Sequence, residues 1–381
     1  MSPSKGSPSE GSPSEAAHAR VEALTLALCA IPSVTGNEAA CASWVEDTLR
    51  PTGLTLSRVG NTVLARGPVG DASGAPRPLV LLVGHTDTVP CRGEMEPPRR
   101  EGTRIVGLGA SDMKGGLAVM IALAERLDFA ALPYDVGMVF YDREEGPWAE
   151  SGLGPTLEAA PWLTTAALAF CLEPSDNDVQ VGCLGTLHAR IALLGRAAHS
   201  ARPWQGDNAI HAAGPLLVAL GALQPVDVWC GGHLFREVKS ATLGSGGRAR
   251  NVIPDRFELN VNFRFAPGRS LADAEAEIRA IVAANVTGAV EIVITERAPS
   301  GRVVTENTLF QHFLALNGNV VTAKQAWTDV ARLSEVGVDA VNYGPGISAQ
   351  AHQAGEYAEV GLLHAGYDQL ARFLTTPGPV P

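Results

Sequence analysis

Seven histidine and carboxylate side chains stand at positions where they could bind metal ions. Most of them follow apolar runs typical of buried strands, and the others lie beside glycine-rich breaks or at the start of a helical pattern. They are His85, Asp87, Asp112, Glu144, Glu145, Glu173 and His352. Imidazole nitrogens and carboxylate oxygens suit Zn²⁺. The residue types therefore indicate metal-dependent chemistry.

The number of carboxylates exceeds what one ion requires. This favours a two-metal site in which a carboxylate bridges ions about 3.5 to 4 Å apart. By position in the chain, Asp112 is the best candidate for the bridge. The adjacent Glu144 and Glu145 cannot point the same way from an extended segment. One of them can ligate while the other takes a proton from the attacking water.

Three apolar runs predict the strands that carry these side chains, at 78–83, 136–141 and 166–172. Uninterrupted apolar runs are typical of parallel strands covered on both faces. A helical pattern follows Asp112, and further helices are predicted at 17–28, 37–49, 305–316 and 360–373, with a hairpin at 55–66. Alternating strands and helices predict an α/β fold with a mostly parallel sheet, whose strands deliver the polar residues at one edge.

The middle of the chain has a different pattern. Alternating apolar residues at 187–193 and 257–263 predict antiparallel strands, with helices at 208–220 and 271–284 and a strand at 290–295. A β-α-β-β-α-β order predicts an inserted ferredoxin-like α+β domain, a lid and dimerisation domain. The predicted organisation is a disordered tail at 1–15, where GSPSE occurs twice, a catalytic domain at 16–181 and 297–381, and the insertion at 182–296.

Composition excludes several classes of partner. The 381 residues carry 29 Lys plus Arg against 40 Asp plus Glu, a formal net charge of −11 that opposes binding to nucleic acid or anionic membranes. No apolar stretch is long enough to predict a membrane span, and no secretory signal is predicted. The six cysteines form no CxxC pair, which favours reduced thiols and a cytoplasmic protein.

Other chemistries fit the residues less well. The segment that starts with Gly107-Leu108-Gly109 has Asp112 where a dinucleotide loop needs glycine. GxSxG, GxxxxGK[ST] and HExxH are absent. Five other histidines are interpreted as hydrogen-bonded surface residues: His188, His211, His233, His312 and His364.

A set of segments resembles the M20 family of dinuclear zinc amidohydrolases, in order and spacing, over about residues 17–373. The segments are GHTDTVP, GASDMKGG, REEG, LEPS, GRAAHSARP, RNVIP and YGPG followed by His352. AHSARPWQGDNAIH and KQAWTDVARLS are most similar to the actinobacterial succinyl-diaminopimelate desuccinylases of that family. The resemblance implies hydrolysis of N-succinyl-LL-2,6-diaminopimelate, a step of diaminopimelate and lysine biosynthesis.

The same resemblance implies a role for each residue of the predicted metal site. His85 and Glu173 would bind one zinc and Glu145 and His352 the other, with Asp112 as bridge and two Zn²⁺ per subunit, Co²⁺ being an alternative ion. Two further roles concern catalysis: Asp87 would orient His85, and Glu144 would be the general base.

Four residues outside the metal site acquire roles from the resemblance. His199, in the inserted domain, would come from the partner subunit of a homodimer and stabilise the oxyanion. Asn251, Arg264 and Thr328 would contact substrate carboxylates, because an Arg fork suits a doubly anionic acyl group. The chain departs from the common family pattern at Arg143, at 246–250 and at 353–356, and these differences bear on the acyl group rather than on the metals.

Two alternatives remain at this point. The first keeps the chemistry but acts on another N-acyl amino acid, such as acetylornithine, or on a dipeptide. The second is a catalytically silent protein that binds an amino-acid amide or peptide. A panel of amide substrates distinguishes the first alternative from the desuccinylase, and metal analysis distinguishes the silent protein from an active enzyme.

Overall fold

The computed structural model describes residues 13–71, 73–91 and 95–379. By backbone contacts the chain forms two units. The first runs up to Gln180 and includes Glu306–Val321 and the chain from Val341 onward; the second comprises Val181–Thr305 and Thr322–Ala340. In the described part of the chain no helix has the length and apolar character needed to cross a bilayer.

The first unit is a mixed α/β structure. Its helices are α1 Pro13–Cys29, α2 Ala39–Leu49, α3 Gly115–Arg126, α4 Leu153–Ala159, α8 Thr308–Asn317 and α10 Val360–Thr375. Its strands are β1 Thr55–Val59, β2 Thr62–Arg66, β3 Leu79–His85, β4 Arg99–Glu101, β5 Arg104–Val106, β6 Asp135–Tyr141, β7 Leu168–Cys171, β8 Val179–Val181 and β16 Tyr357–Glu359. Strands β14 Val321–Ala323 and β15 Ala340–Asn342 lie where the chain passes between the two units.

The larger sheet has the order β1-β2-β6-β3-β7-β15-β8-β14. Strand β3 pairs in parallel with both β6 and β7, whereas β1 and β2 form the predicted antiparallel hairpin. All seven residues of β3 are buried, as its apolar sequence predicts. Helix α3 is apolar on all sides and buried from Gly115 to Ala124, which identifies it as a central helix of this unit.

The second unit contains β9 Gly185–Leu194, α5 Ala209–Ala212, α6 Gly214–Ala222, β10 Val226–Cys230, β11 His233–Gly246, β12 Arg256–Phe265, α7 Leu271–Asn285, β13 Val290–Ala298 and α9 Val330–Glu335. Its antiparallel sheet has the order β10-β11-β12-β9-β13. Without the edge strand β10, this is the ferredoxin-like order, so the predicted fold class is confirmed. The core lies between one face of the sheet and helices α6 and α7.

Several boundaries differ from the sequence-based expectation. Residues 13–15 form the first turn of α1, because Pro13 and Glu15 suit a helix N-terminus, and the rest of the predicted tail lies outside the described residues. The helix expected at 208–220 is divided into α5 and α6, since Pro215 has no N–H for the preceding turn. Strands β10 and β11 were not located from the sequence.

The return to the first unit also differs from the predicted position at residue 297. Residues 297–305 and 322–340 belong to the second unit. Backbone hydrogen bonds explain this, because Gly301 N–H donates to the Cys183 carbonyl and Lys324 N–H donates to the Val181 carbonyl.

Candidate metal centre

The predicted ligands of the first unit come together at one edge of the sheet. Strand β3 ends at His85, the flanking β6 runs into Glu144 and Glu145, and β7 on the other side is followed by Glu173. Because β3 is parallel to both neighbours, these chain positions leave the sheet at the same end.

Two carboxylates lie beside the Nε2 atom of His85. Its Nε2 is 3.2 Å from Asp112 Oδ1 and 3.9 Å from Glu173 Oε1. Its Nδ1 lies 3.0 Å from the backbone carbonyl of Asp87, and a carbonyl only accepts, so Nδ1 carries a proton. A neutral His85 then presents the lone pair of Nε2 to the carboxylates, which is the tautomer a metal ligand needs at that atom.

His352 forms the second group. Its Nε2 is 3.0 Å from both oxygens of Glu145 and 3.7 Å from Asp112 Oδ2. The backbone of His352 has φ +62°, a region that residues other than glycine rarely adopt. The surrounding loop therefore holds this histidine in an uncommon conformation next to the carboxylates.

Asp112 belongs to both groups, with one oxygen facing each histidine. Potential ligand atoms lie within 4.8 Å of one another in His85-Asp112-Glu173 and in Asp112-Glu145-His352. Glu144 joins His85 and Glu145 in a third such group. Two nitrogen and several oxygen donors around a shared carboxylate fit two zinc ions, so the residues present are suited to this metal.

The neighbouring carboxylates raise the pKa values of both histidines. The hydrogen bond with Glu145 raises the pKa of His352 to about 9, although burial opposes this. Burial disfavours the charged form of His85, but Asp112 and Asp87 raise its pKa well above the usual range. Since a metal ion binds neutral imidazole, binding of a metal at these residues would be coupled to release of protons.

Asp87 is fully buried and does more than contact His85. Its carboxylate lies 3.4 Å from His85 Nδ1 and also accepts backbone N–H groups from Glu144 at 3.0 Å and Glu145 at 3.1 Å. The Thr35 hydroxyl donates to the same carboxylate at 2.9 Å. Burial opposes ionisation, but His85 and the two N–H groups lower the pKa of Asp87. Asp87 thus connects the histidine strand with the turn of the tandem glutamates.

The YGPG segment is explained by close backbone packing. A Cβ on Gly344 would lie 2.6 Å from the backbone oxygen of Glu173, and a Cβ on Gly346 would overlap the backbone carbonyl of Ser111. Only glycine allows this approach at either position. The segment therefore packs against the chain at Glu173 and beside Asp112.

Glu356 was not identified from the sequence. Its buried carboxylate accepts backbone N–H groups of Gly109, Ser111 and Asp112, each at 2.8 Å. Burial raises its pKa to about 7, although these N–H groups oppose the shift. A solitary glutamate after a histidine carries no sequence signal for such a role, because the three donors are about 245 residues earlier in the chain.

His199 and Asn251 are neighbours within the second unit, and both are exposed. Ser200 N–H donates to the Asn251 carbonyl at 3.0 Å, and Ile253 N–H donates to Ala198. His199 Nδ1 accepts the N–H of Ala201 at 3.0 Å. Neutral His199 therefore carries its proton on Nε2, where it can donate to a ligand.

Arg264 and Thr328 have different environments in the second unit. Arg264 is half-buried and lines a cavity of about 410 Å³ with Arg236 and Gln325. Burial lowers its pKa, with Glu296 opposing the shift. Thr328 is only 2% exposed and its Oγ1 has no hydrogen-bond partner among the described residues. A substrate contact at Thr328 would have to reach this buried hydroxyl.

A polar row on β9 and β12 surrounds Arg264 and was also missed. Its Nε donates to Asn262 Oδ1 at 3.3 Å, and the amide nitrogen of Asn262 lies 2.9 Å from His188 Nε2 and 3.2 Å from Thr186 Oγ1. Alternation of side chains on β12 could have indicated that Asn260, Asn262 and Arg264 share one face.

Comparisons with known proteins identify relatives that cover most of this chain. A Mycobacterium tuberculosis protein named as a succinyl-diaminopimelate desuccinylase is 40% identical, covering 92% of this chain and 97% of its own length. A Corynebacterium glutamicum succinyl-diaminopimelate desuccinylase is 35% identical, covering 88% and 91%.

Solved structures share the fold at low sequence identity. A Staphylococcus aureus tripeptidase has a TM-score of 0.77 at 19% identity, covering 94% of this chain and 98% of its own. An M20 metallo-carboxypeptidase from Sulfolobus solfataricus has a TM-score of 0.73 at 14% identity, covering 93% and 98%. Residues 81–376 match the profile described as Peptidase family M20/M25/M40, and the chain belongs to this family of hydrolases that act on amide bonds.

Proposed function

We propose that the protein is a dizinc amidohydrolase that converts N-succinyl-LL-2,6-diaminopimelate to succinate and LL-2,6-diaminopimelate. The observation that carries the proposal is the Asp112 carboxylate, whose two oxygens face the imidazoles of His85 and His352. The substrate follows from the relatives, two of which bear the name of this desuccinylase and cover most of the chain.

Five residues would hold the two ions. His85 and Glu173 are proposed for one, Glu145 and His352 for the other, and Asp112 for both. When bound, zinc would supply Lewis acidity that polarises the amide carbonyl and acidifies a water. Asp87 would keep His85 and the tandem glutamates in place through the hydrogen bonds described above.

Glu144 is the proposed general base. Oxygen of water forms a bond with the acyl carbon and the C–N bond breaks. The Glu144 carboxylate accepts a proton from this water and returns it to the leaving nitrogen, so that succinate and a free amine result. Separate roles for the two glutamates are supported by their contacts, because Glu145 lies against His352 whereas Glu144 joins the group of His85 and Glu145.

His199 is proposed to donate a hydrogen bond to the developing oxyanion. Support comes from its exposure and from the Ala201 N–H, which occupies Nδ1 and leaves the proton of the neutral ring on Nε2. Arg264, Asn251 and Thr328 are proposed to bind substrate carboxylates. Arg264 is the best supported of these, since a partly desolvated guanidinium beside a cavity favours an anion.

A homodimer formed by the second unit is also proposed, with His199 supplied by the partner subunit. Strand β10 covers the outer edge of β11 only from His233 to Glu237. The outer edge of the remaining residues up to Gly246 pairs with no strand of the described chain, and Leu243 on it is 73% exposed. Val218 on α6, a helix that contacts β11, is also 73% exposed. An open strand edge suits antiparallel pairing with a second copy.

A cytoplasmic location is proposed from the thiols. Four of the six cysteines are buried, namely Cys29, Cys41, Cys171 and Cys183. Cysteine thiols in this number suit a reducing compartment.

A substrate panel tests the proposed reaction. The zinc-supplemented protein is assayed with N-succinyl-LL-2,6-diaminopimelate, N-acetylornithine and a dipeptide. We expect the succinyl substrate to have the highest kcat/KM by at least about tenfold, one anionic hydrogen-bonded contact being sufficient for such a ratio. A preference for the acetyl substrate or the dipeptide would refute the proposed specificity.

Glu144→Gln tests the assigned base. The variant is expected to lose about 10²- to 10⁴-fold in kcat while retaining zinc. Glu150→Gln is the matched control, because Glu150 lies on the same loop and pairs with Arg143 at the surface. Turnover by Glu144→Gln at the level of this control would exclude Glu144 as the base.

A further inference from the structure

The segment that carries Asp112 does not form a regular helix. Asp112 has φ −120° and ψ 94°, and Met113 has φ −130° and ψ 35°. The N–H groups before and at Asp112 therefore cannot all be satisfied by helical bonds within the segment. Buried backbone N–H groups require an acceptor from elsewhere.

One carboxylate supplies that acceptor. Glu356 Oε1 receives the N–H groups of Ser111 and Asp112, and Oε2 receives that of Gly109, all at 2.8 Å. Glu356 is 4% exposed, so water does not compete for these donors. Three short hydrogen bonds to one anion define the path of the backbone at Asp112.

The backbone next to Glu356 strengthens the same connection. Gly107 N–H donates to the Glu356 carbonyl at 2.9 Å, and the Ser111 hydroxyl donates to the Tyr357 carbonyl at 2.7 Å. His352 is only four residues before Glu356. A single short segment thus provides one proposed ligand and holds the backbone of another.

We infer that Glu356 is a positioning residue of the metal centre, which holds Asp112 so that each of its oxygens faces one histidine. It acts through the backbone of Asp112 and does not itself ligate. The inference rests on the proposed two-metal function. It explains why a charged side chain is buried beside other carboxylates, an arrangement that needs compensation by donors.

The three backbone N–H groups around the Glu356 side chain require a carboxylate and do not suit an amide. Glutamine has one acceptor oxygen, so its NH₂ group would face at least one of the three backbone N–H groups. Glu356→Gln is therefore expected to displace the Asp112 segment while changing the side-chain volume very little. Glu359→Gln is the matched control, because Glu359 lies three residues further and makes exposed contacts with Arg104 and Thr103.

Zinc affinity of the full-length protein provides the test. Dissociation constants for both ions are measured by competition with a chromophoric chelator, together with kcat, KM and the melting temperature of the zinc-free protein. We expect Glu356→Gln to weaken at least one zinc about 10- to 100-fold and to lower kcat, with KM within about threefold. Glu359→Gln should leave both zinc constants unchanged.

The outcomes separate this inference from the proposed function. Wild-type zinc affinity in folded Glu356→Gln overturns the inference, even if the zinc-free variant melts at a lower temperature. Failure of the wild-type protein to bind zinc refutes the proposed function and the inference with it. If Glu356→Gln does not fold, Glu356→Asp keeps the charge but shortens the side chain, and unchanged zinc constants in that variant overturn the inference equally.

Discussion

Asp87→Asn removes one oxygen from a carboxylate that is fully buried. Oδ1 accepts the N–H of Glu144, while Oδ2 accepts the N–H of Glu145 and the hydroxyl of Thr35. The Thr35 hydroxyl can rotate and accept from an amide, but a backbone N–H cannot. We therefore expect the NH₂ group of the substituted side chain to replace Oδ2 and to leave the N–H of Glu145 without an acceptor.

The size of the effect follows from that one contact. A hydrogen bond to a charged group contributes about 1.5 to 3 kcal/mol. If this energy holds the Glu145 turn in its ligating position, its loss weakens zinc binding about 10- to 100-fold, at about 1.4 kcal/mol for each tenfold change. The same range is typical for residues that orient metal ligands.

The assay is a chelator competition at fixed pH, combined with kcat on the succinyl substrate. Asp71→Asn is the control, since Asp71 also accepts the N–H groups of Ser73 and Ala75 but is exposed to water. Both variants should fold, and only Asp87→Asn should lose zinc affinity. Equal zinc constants in Asp87→Asn and the wild type would contradict the proposed role of the Glu145 N–H bond.

Three further predictions concern packing, the polar row and the thiols. Gly344→Ala should lower the free energy of unfolding by about 1 to 3 kcal/mol in urea titrations, because the new Cβ would clash with the backbone of Glu173. Gly361→Ala is the control: its Cβ would have no neighbour within 4 Å, so the free energy of unfolding should not fall. Asn262→Ala should raise KM about 5-fold with unchanged kcat and zinc content, since it removes the bond that orients Arg264, and an unchanged KM would exclude this role. At pH 8 a thiol reagent should modify at most two cysteines of the native protein. Burial suppresses the thiolate and raises the pKa of Cys29 to about 12. Rapid modification of more than two cysteines would contradict the burial of Cys29, Cys41, Cys171 and Cys183.

The strands that carry the proposed ligands could be predicted because burial on both faces leaves a continuous apolar run. The runs before His85, Glu144 and Glu173 correspond to β3, β6 and β7, and the family resemblance agrees with the profile match. The proposed ligand roles were likewise expected from the sequence, and the structure brings those side chains together.

Elements with weak patterns could not be located in this way. Most of β11 is exposed on both faces beyond Val238, so it lacks the alternation that marked β9 and β12. Residues 322–340 were expected in the first unit but belong to the second. Hydrogen bonds link Lys324 and Ala326 to the start of the second unit, and the composition of the segment does not predict these bonds.

The sequence by itself determined the fold class and the types of donor group at the candidate metal centre, because periodicity and donor identity are local properties of the chain. Tertiary structure decided which backbone groups those side chains meet. The bonds of Asp87 to the tandem glutamates and of Glu356 to the Asp112 segment join residues 57 and 244 positions apart. Such contacts depend on the direction of N–H groups after folding, and no residue pattern encodes that direction.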